Sequence, residues 1–150
     1  MSYKLRFIPL GGIVGVTKNM YVYELYKNNN LKDILIVDCG IGFPRVSEFG
    51  VDFEIPDISY LEDKKDKIRG IVLSHGHEDH ISAVRFHYDK LGRPPIFASK
   101  LTSIFVKNKA KQMGVKLNVE VVDYKRTYMF GEFDVKFIRM THSIPDTTQL

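Results

Sequence analysis

The six residues His75-Gly76-His77-Glu78-Asp79-His80 carry the strongest functional signal in this chain, and they directly follow the apolar run Ile71-Val72-Leu73. The five ionisable side chains of this hexad are potential metal ligands or acids, crowded into one turn after a predicted strand. Neutral imidazoles and carboxylates are ligands that zinc accepts. The hexad therefore predicts a metal centre, against the alternative of idle, solvated surface histidines.

The spacing within the hexad suggests how its ligands could be divided between two metals. His75 and His77 are two residues apart, so their side chains lie on the same side of an extended segment. Asp79 and His80 follow where a helix is expected to begin. This arrangement can split the ligands between two neighbouring ions, as in sites that clamp both oxygens of a phosphoryl displacement. The helical HExxH motif is excluded because Ile81 stands four residues after His77.

The composition is that of an ordinary globular domain. With 150 residues, 44% of them hydrophobic and 27% charged, the chain can bury one sizeable core. We expect no membrane span and no signal peptide, because no apolar run is long enough. Cys39 is the single cysteine, which excludes an intrachain disulfide and is compatible with a cytoplasmic protein. Its thiol is expected to be a buried packing group rather than a nucleophile.

The charge balance is mildly basic. Lys and Arg exceed Asp and Glu by 22 − 18 = 4, which fits an anionic partner such as RNA without requiring one. Lys107 and Lys111 would share one side of a helix, where we expect a solvated face in preference to an RNA track.

The apolar pattern predicts a β-rich start, followed by strands that alternate with helices. Expected strands are 4–10, 20–26, 34–37, 71–74, 96–98, 119–122 and 133–140, and expected helices are 80–91 and 101–112. A turn is expected at Asn28-Asn29-Asn30, and short helical turns are expected near Val46–Phe49 and Ile58–Glu62. His87 should be a surface or packing residue. This order suits a mixed α/β sheet with helices on its outer face, half of an αββα sandwich.

Several segments resemble ribonuclease J, a member of the metallo-β-lactamase superfamily, whose signature the hexad carries. These segments are Ile8–Gly12, Thr17–Glu24, Val37–Pro44, Gly50–Asp57 and Thr141–Asp146, and they span nearly the whole chain. Generic metallo-β-lactamase hydrolases share the hexad but lack the Gly50–Asp57 segment. The resemblance implies that residues 1–150 form the first half of a metallo-β-lactamase αββα sandwich.

The resemblance also implies a catalytic site with two zinc ions. His75, His77 and His142 would hold the first zinc and leave a fourth position for water. Asp79 and His80 would serve the second zinc as catalytic residues, with Asp79 also able to accept a proton. A hydroxide between the metals would be the nucleophile, because zinc lowers the pKa of bound water to around 7.

Asp38 and Glu78 are expected to lie outside the ligand set. The resemblance implies that Asp38 supports the site by accepting the second N–H of a ligand imidazole. The alternative is an aspartate that only stabilises the turn before Gly40. Glu78 is expected to be exposed or to lie behind the ligands. No substrate-binding residue is identified.

The function implied by the resemblance is zinc-dependent hydrolysis of RNA phosphodiester bonds, with 5′-exonuclease and endonuclease activity. The resemblance also implies a bridging aspartate, a further histidine and an RNA-binding β-CASP domain, none of which lies in these 150 residues. We therefore expect the N-terminal portion of a longer protein, inactive on RNA by itself. RNA is the expected partner, no membrane is expected, and a homo-oligomer of the full-length protein is left open.

Two other functions are open at this stage. The first is another metallo-β-lactamase-fold hydrolase, acting on a thioester, a lactone or a DNA end. A β-CASP insertion of domain size in further sequence would exclude the thioester enzymes. The second is a truncated, non-catalytic metal-binding subunit, which is favoured only if a stop codon follows Leu150.

Overall fold

A six-stranded sheet is the main element of the computed structural model, which describes residues 1–44 and 50–150. Its strands, adjacent in chain order, are β1 (Tyr3–Pro9), β2 (Tyr21–Lys27), β3 (Asn30–Val37), β4 (Ile68–Leu73), β5 (Ile96–Ala98) and β6 (Val119–Val121). Strands β1, β2 and β3 are antiparallel, whereas β3 to β6 are parallel. The carboxyl ends of the parallel strands therefore meet at one edge of the sheet, together with the amino end of β2.

Helices cover one face of this sheet. They are α1 (Glu78–Ile81), α2 (Val84–His87) and α3 (Lys100–Lys111), and 3-10 turns occur at Ser59–Leu61 and Lys65–Lys67. Apolar side chains from both layers form the main core, among them Ile34, Ile36, Ile71, Ile81, Val84 and Val106. Each aliphatic side chain of this kind stabilises the fold by about 1.5–3 kcal/mol when fully buried.

The opposite face of the sheet carries the beginning of a second β layer. Strands β7 (Thr127–Phe130) and β8 (Phe133–Lys136) form a hairpin, and β9 (Ile138–Arg139) pairs with β10 (Thr148–Gln149). Phe97 of β5 packs against the rings of Tyr128 and Phe130 at centroid distances of 5.3 and 4.7 Å. Helices on one face and strands on the other confirm the expected fold class, a partial αββα sandwich.

The predicted single helix over 80–91 is wrong, because the chain forms two short helices. The carbonyls of α1 are engaged by other segments: the Asn19 N–H donates to the Asp79 carbonyl at 2.9 Å, and the Cys39 N–H donates to that of His80 at 2.8 Å. The Ala83 N–H donates to the Cys39 carbonyl at 2.9 Å instead of continuing the helix. Tertiary hydrogen bonds therefore replace the helical ones at this point.

The predicted strand over 133–140 is also wrong as a single element. The chain passes from β8 to β9 at Phe137, whose ring is 1% exposed in the second apolar cluster. Strand β7 has no counterpart among the predicted elements. The turn predicted at Asn28-Asn29-Asn30 is confirmed for Asn28 and Asn29, whereas Asn30 already begins β3. The helical turn near Ile58–Glu62 is confirmed, and the turn predicted at Val46–Phe49 lies outside the described residues.

Cys39 and the exposed lysines agree with their predicted environments. Cys39 is fully buried, and this burial raises the pKa of its thiol, in agreement with the expected packing role. Lys107 and Lys111 are both exposed on α3. Among the described residues, no helix combines the length and apolar character needed to cross a membrane.

His87 is confirmed as a packing residue and should make folding pH-dependent. Its side chain is buried in α2, and burial, reinforced by the positive charge of Lys90, lowers the pKa of His87 below 6.5. The unfolded chain therefore binds this proton more readily than the folded chain. We expect the free energy of unfolding to fall as the pH drops below about 6.5.

The measurement is chemical denaturation at pH 7.5 and pH 5.5, on the wild type and on His87→Gln. The variant should lose less stability between the two pH values, because it carries no titrating group at this position. An equal loss in both proteins would show that His87 is not responsible.

Candidate metal centre

The polar residues of the site collect at the sheet edge where the parallel strands end. Asp38 directly follows β3, and Ser74 and His75 directly follow β4. Strands β3 and β4 pair in parallel with Val37 opposite Val72, and the Asp38 N–H donates to the Val72 carbonyl at 2.9 Å. The apolar strands thus bring two distant polar segments into contact at their ends.

The structure brings His75, His77 and His142 together. One ring nitrogen from each lies within 4.8 Å of the other two. His75 Nε2 is 3.0 Å from His77 Nδ1. The ring centroid of His142 lies 4.8 Å from the ring centroid of His75 and 4.9 Å from that of His77. Two nitrogens bound to one tetrahedral zinc at about 2.0–2.1 Å would be about 3.3 Å apart. The spacing and chemistry of this donor set therefore fit a divalent metal ion.

Asp38 determines which ring nitrogens of two histidines carry protons. Its carboxylate accepts the Ser74 N–H, the Ser74 hydroxyl and His80 Nδ1–H, each at 2.7 Å. Because the Ser74 hydroxyl donates to Asp38, it can only accept from His75 Nδ1, which is 2.9 Å away. In the neutral form of both histidines the lone pair is then on Nε2, which is the form that a metal requires.

The electrostatic environment treats these two histidines differently. Burial, and to a smaller extent the neighbouring His80, lower the pKa of His75 to about 4. Burial also lowers the pKa of His80, but the hydrogen bond and negative charge of Asp38 outweigh this effect and raise it overall. His75 is therefore neutral at physiological pH, as a ligand must be.

Asp79 and His80 form a second pair beside the histidine cluster. Asp79 Oδ2 lies 3.4 Å from His80 Nε2, and the His80 ring centroid is 4.0 Å from that of His75. Asn19 reaches the pair with its side-chain amide, 2.9 Å from Asp79 Oδ2 and 3.1 Å from His80 Nε2. It does so because β2 is antiparallel to β3, which places the residues before β2 at this edge.

Two residues of the site were not predicted from the sequence, and one residue lies outside it as expected. Asn19 and Ser74 contact the candidate ligands, and the only signal for them was a polar residue next to a strand end.

Glu78 is exposed, and its carboxylate pairs with the ammonium group of Lys109 at 2.5 Å.

The comparison with protein families identifies the fold. The sequence pattern of the metallo-beta-lactamase superfamily matches residues 14–138. The chain belongs to the metallo-beta-lactamase superfamily. This metallo-beta-lactamase fold implies binding of a divalent metal, in agreement with the cluster of three histidines.

Curated relatives of this metallo-beta-lactamase chain confirm the resemblance to ribonuclease J. The chain is 38% identical over 145 residues to Ribonuclease J 2 of Staphylococcus aureus, a match that covers 95% of this chain and 25% of that protein. It is 36% identical over 146 residues to Ribonuclease J of Synechocystis, covering 95% of this chain and 22% of the relative. The chain thus spans about a quarter of the length of these relatives.

Solved structures show the same fold at lower sequence identity. The metallo-beta-lactamase fold protein YhfI of Bacillus subtilis has a TM-score of 0.57 and 18% identity, with 94% of this chain and 55% of YhfI covered. A flavodiiron protein of Giardia intestinalis has a TM-score of 0.57 and 22% identity, and the match covers 86% of this chain and 29% of that protein. These likenesses concern the fold alone.

Proposed function

We propose that this chain carries metal-binding residues of a zinc-dependent, ribonuclease J-like hydrolase that cleaves RNA phosphodiester bonds. The observation that carries this proposal is the convergence of His75, His77 and His142, with Asp79 and His80 beside them. The identity of 38% to a ribonuclease J over 95% of the chain supports RNA as the substrate. The excess of four basic residues is compatible with a polyanionic substrate.

The three-histidine cluster is the proposed first metal site, and zinc is the proposed metal. Three imidazoles with one open position are a donor set of catalytic zinc sites. Non-haem iron more often takes two histidines and a carboxylate, and among the described residues this cluster contains no carboxylate, which favours zinc. The neutral state of His75 means that a metal does not have to displace a proton from this imidazole.

The Asp79–His80 pair is the proposed second site, and Asp38 is the proposed support for both sites. Asp38 contacts His80 directly and His75 through the Ser74 hydroxyl, so one carboxylate orients a ligand of each metal. Donation of the other ring N–H to an acceptor fixes the orientation of the ring and raises the basicity of the ligand nitrogen. The backbone of Asp38 has a positive φ of 60°, a conformation that aspartate adopts more readily than most residues.

The proposed chemistry assigns a separate task to each group of side chains. Bound divalent metals would supply Lewis acidity toward the phosphoryl oxygens and would lower the pKa of a water. His75, His77 and His142 would orient one metal, while the Asp79 carboxylate is available to hold the second metal and to take up a proton. Asp38 keeps the imidazoles in their ligand tautomers throughout.

RNA hydrolysis tests the proposal in a chimera with a relative. In Ribonuclease J of Synechocystis, the segment that matches over 146 residues is replaced by this chain. We expect the zinc-loaded chimera to hydrolyse labelled RNA and His77→Ala in it to lower the rate to background, because one ligand of the first metal is lost. RNAs with a 5′ monophosphate and with a blocked 5′ end separate exonuclease from endonuclease products.

The controls define how the proposal could fail. Lys107→Ala, an exposed change on α3, should leave the rate of the chimera unchanged. A folded, zinc-loaded chimera that hydrolyses a DNA end or a thioester but not RNA would contradict the proposed substrate. The 150-residue chain alone is expected to be inactive, and His77-dependent hydrolysis by it would show that its residues suffice.

A further inference from the structure

Asn19 makes a dense set of contacts with the Asp79–His80 pair. Its amide Nδ2 lies 2.9 Å from Asp79 Oδ2, 3.2 Å from the Asp79 carbonyl oxygen and 3.1 Å from His80 Nε2. The Asn19 backbone N–H donates to the same Asp79 carbonyl at 2.9 Å. Since Asn19 is 7% exposed, water has little access to replace these hydrogen bonds.

The orientation of the Asn19 amide is determined by Tyr21. The Tyr21 hydroxyl donates to Asn19 Oδ1 at 2.8 Å, so the carbonyl end of the amide is fixed and the amino end faces the pair. Gly12 lies against the same contact: a Cβ there would be 2.4 Å from the Tyr21 hydroxyl and 2.6 Å from Asn19 Oδ1. The Asn19–Tyr21 contact is therefore closely enclosed by the chain.

The amide meets the atoms of the pair that would bind a metal. His80 Nδ1 donates to Asp38, so in neutral His80 the one free lone pair of the ring is on Nε2, where a metal would use it. Asp79 Oδ2 has two lone pairs, so it can accept from Asn19 and still offer one to a metal. Without Asn19, the Asp79 carboxylate would be free to rotate toward solvent, because no other side chain among the described residues donates a hydrogen bond to it.

We propose that Asn19 is a positioning residue that holds Asp79 Oδ2 beside His80 Nε2, so that the two atoms form the ligand pair of the second metal. This inference rests on the proposed function and adds the group that orders the second site. Asn19 acts through its neighbours, and Tyr21 acts through Asn19. Loss of the amide therefore weakens the second metal and spares the first.

Zinc titration followed by NMR tests this assignment. Metal-free protein receives one equivalent of zinc, which the three-histidine site takes up, and further zinc is followed through the ring resonances of His80. In Asn19→Leu, which has nearly the same size but no amide, we expect the second step to weaken about 10–100-fold, the usual effect of a group behind the ligands. The first step should stay within about twofold.

Tyr21→Phe is the milder second variant, and Tyr23→Phe is its matched control on the same strand. Tyr21→Phe leaves the amide but frees its orientation, so it should weaken the second step by about 3-fold, less than the usual effect of about 10–100-fold. If Asn19→Leu does not fold, the inference is tested with Tyr21→Phe. Tyr23→Phe should change neither step.

Two results would overturn the inference without touching the proposed first site: no response of His80 to further zinc in the wild type, or an unchanged second step in folded Asn19→Leu. Equal weakening of both steps would also overturn it, because it would indicate a general effect on folding. Failure of the wild type to take up the first zinc would instead refute the proposed function, and this inference with it.

Discussion

Zinc should be lost from the protein when His77 and His142 are both replaced by alanine. The wild type, purified without a histidine tag, is expected to contain zinc by elemental analysis, because three imidazole nitrogens lie within 4.8 Å of one another. The double variant keeps only His75 of this cluster. Replacing a residue that only supports a metal ligand already lowers metal affinity by about 10–100-fold. Loss of two ligands should therefore lower zinc affinity by more than about 100-fold.

The controls for this experiment come from the same chain. Glu78→Gln changes a hexad residue that pairs with Lys109 and does not belong to the cluster, so its zinc content should equal that of the wild type. Iron and manganese are measured in the same samples, since imidazoles also bind these metals. Unchanged zinc content in the double variant would refute the assignment of the first site.

Gly40→Ala should disrupt both the fold and the metal centre. A Cβ at Gly40 would lie 1.5 Å from the Asp79 carbonyl oxygen and 2.4 Å from the His80 backbone nitrogen. Both obstacles are backbone atoms, so no rotation of a side chain can relieve the overlap. We expect a loss of about 4 kcal/mol or more in the free energy of unfolding, in the range of exceptional single substitutions.

The metal centre is affected because the same contacts hold the hexad in place. The Cys39 N–H donates to the His80 carbonyl at 2.8 Å, and the Ile41 N–H donates to the Glu78 carbonyl at 3.2 Å. Moving this segment would displace Asp38 from His80 and lower the zinc content of any protein that still folds. Thermal and chemical denaturation, with zinc analysis of the soluble fraction, measure both effects.

Gly114→Ala is the matched control for Gly40→Ala. Apart from its two chain neighbours, no atom of the described residues lies within 4 Å of a Cβ at Gly114, but its φ of +71° is unfavourable for alanine. This variant should lose only about 1–2 kcal/mol, the cost of the left-handed conformation. Similar stabilities for the two variants would mean that steric overlap at Gly40 is not important.

The local pattern of the sequence was sufficient for the hexad and for most of the strands. His75 and His77 follow an apolar run, and the strand over Ile68–Leu73 confirms that this run delivers them. Alternating apolar residues and the turn residues between them also predicted the hairpin of β2 and β3. Both predictions succeed because hydrophobic periodicity is a local property of the sequence. His142 could be assigned only through the resemblance to a family, because a histidine after a strand is not by itself a ligand.

Long-range packing determined the features that local patterns could not predict. Asn19 reaches the hexad because β2 runs antiparallel to β3, and the helix after the hexad breaks because residues 19 and 39 bond to its carbonyls. The Thr148 N–H donates to the Ser74 carbonyl at 2.8 Å, and this hydrogen bond anchors the last segment of the chain at the site. His142 precedes this anchor by six residues and lies beside His77. These contacts join residues far apart in sequence, so they depend on strand pairing and on which groups compete for each backbone hydrogen bond.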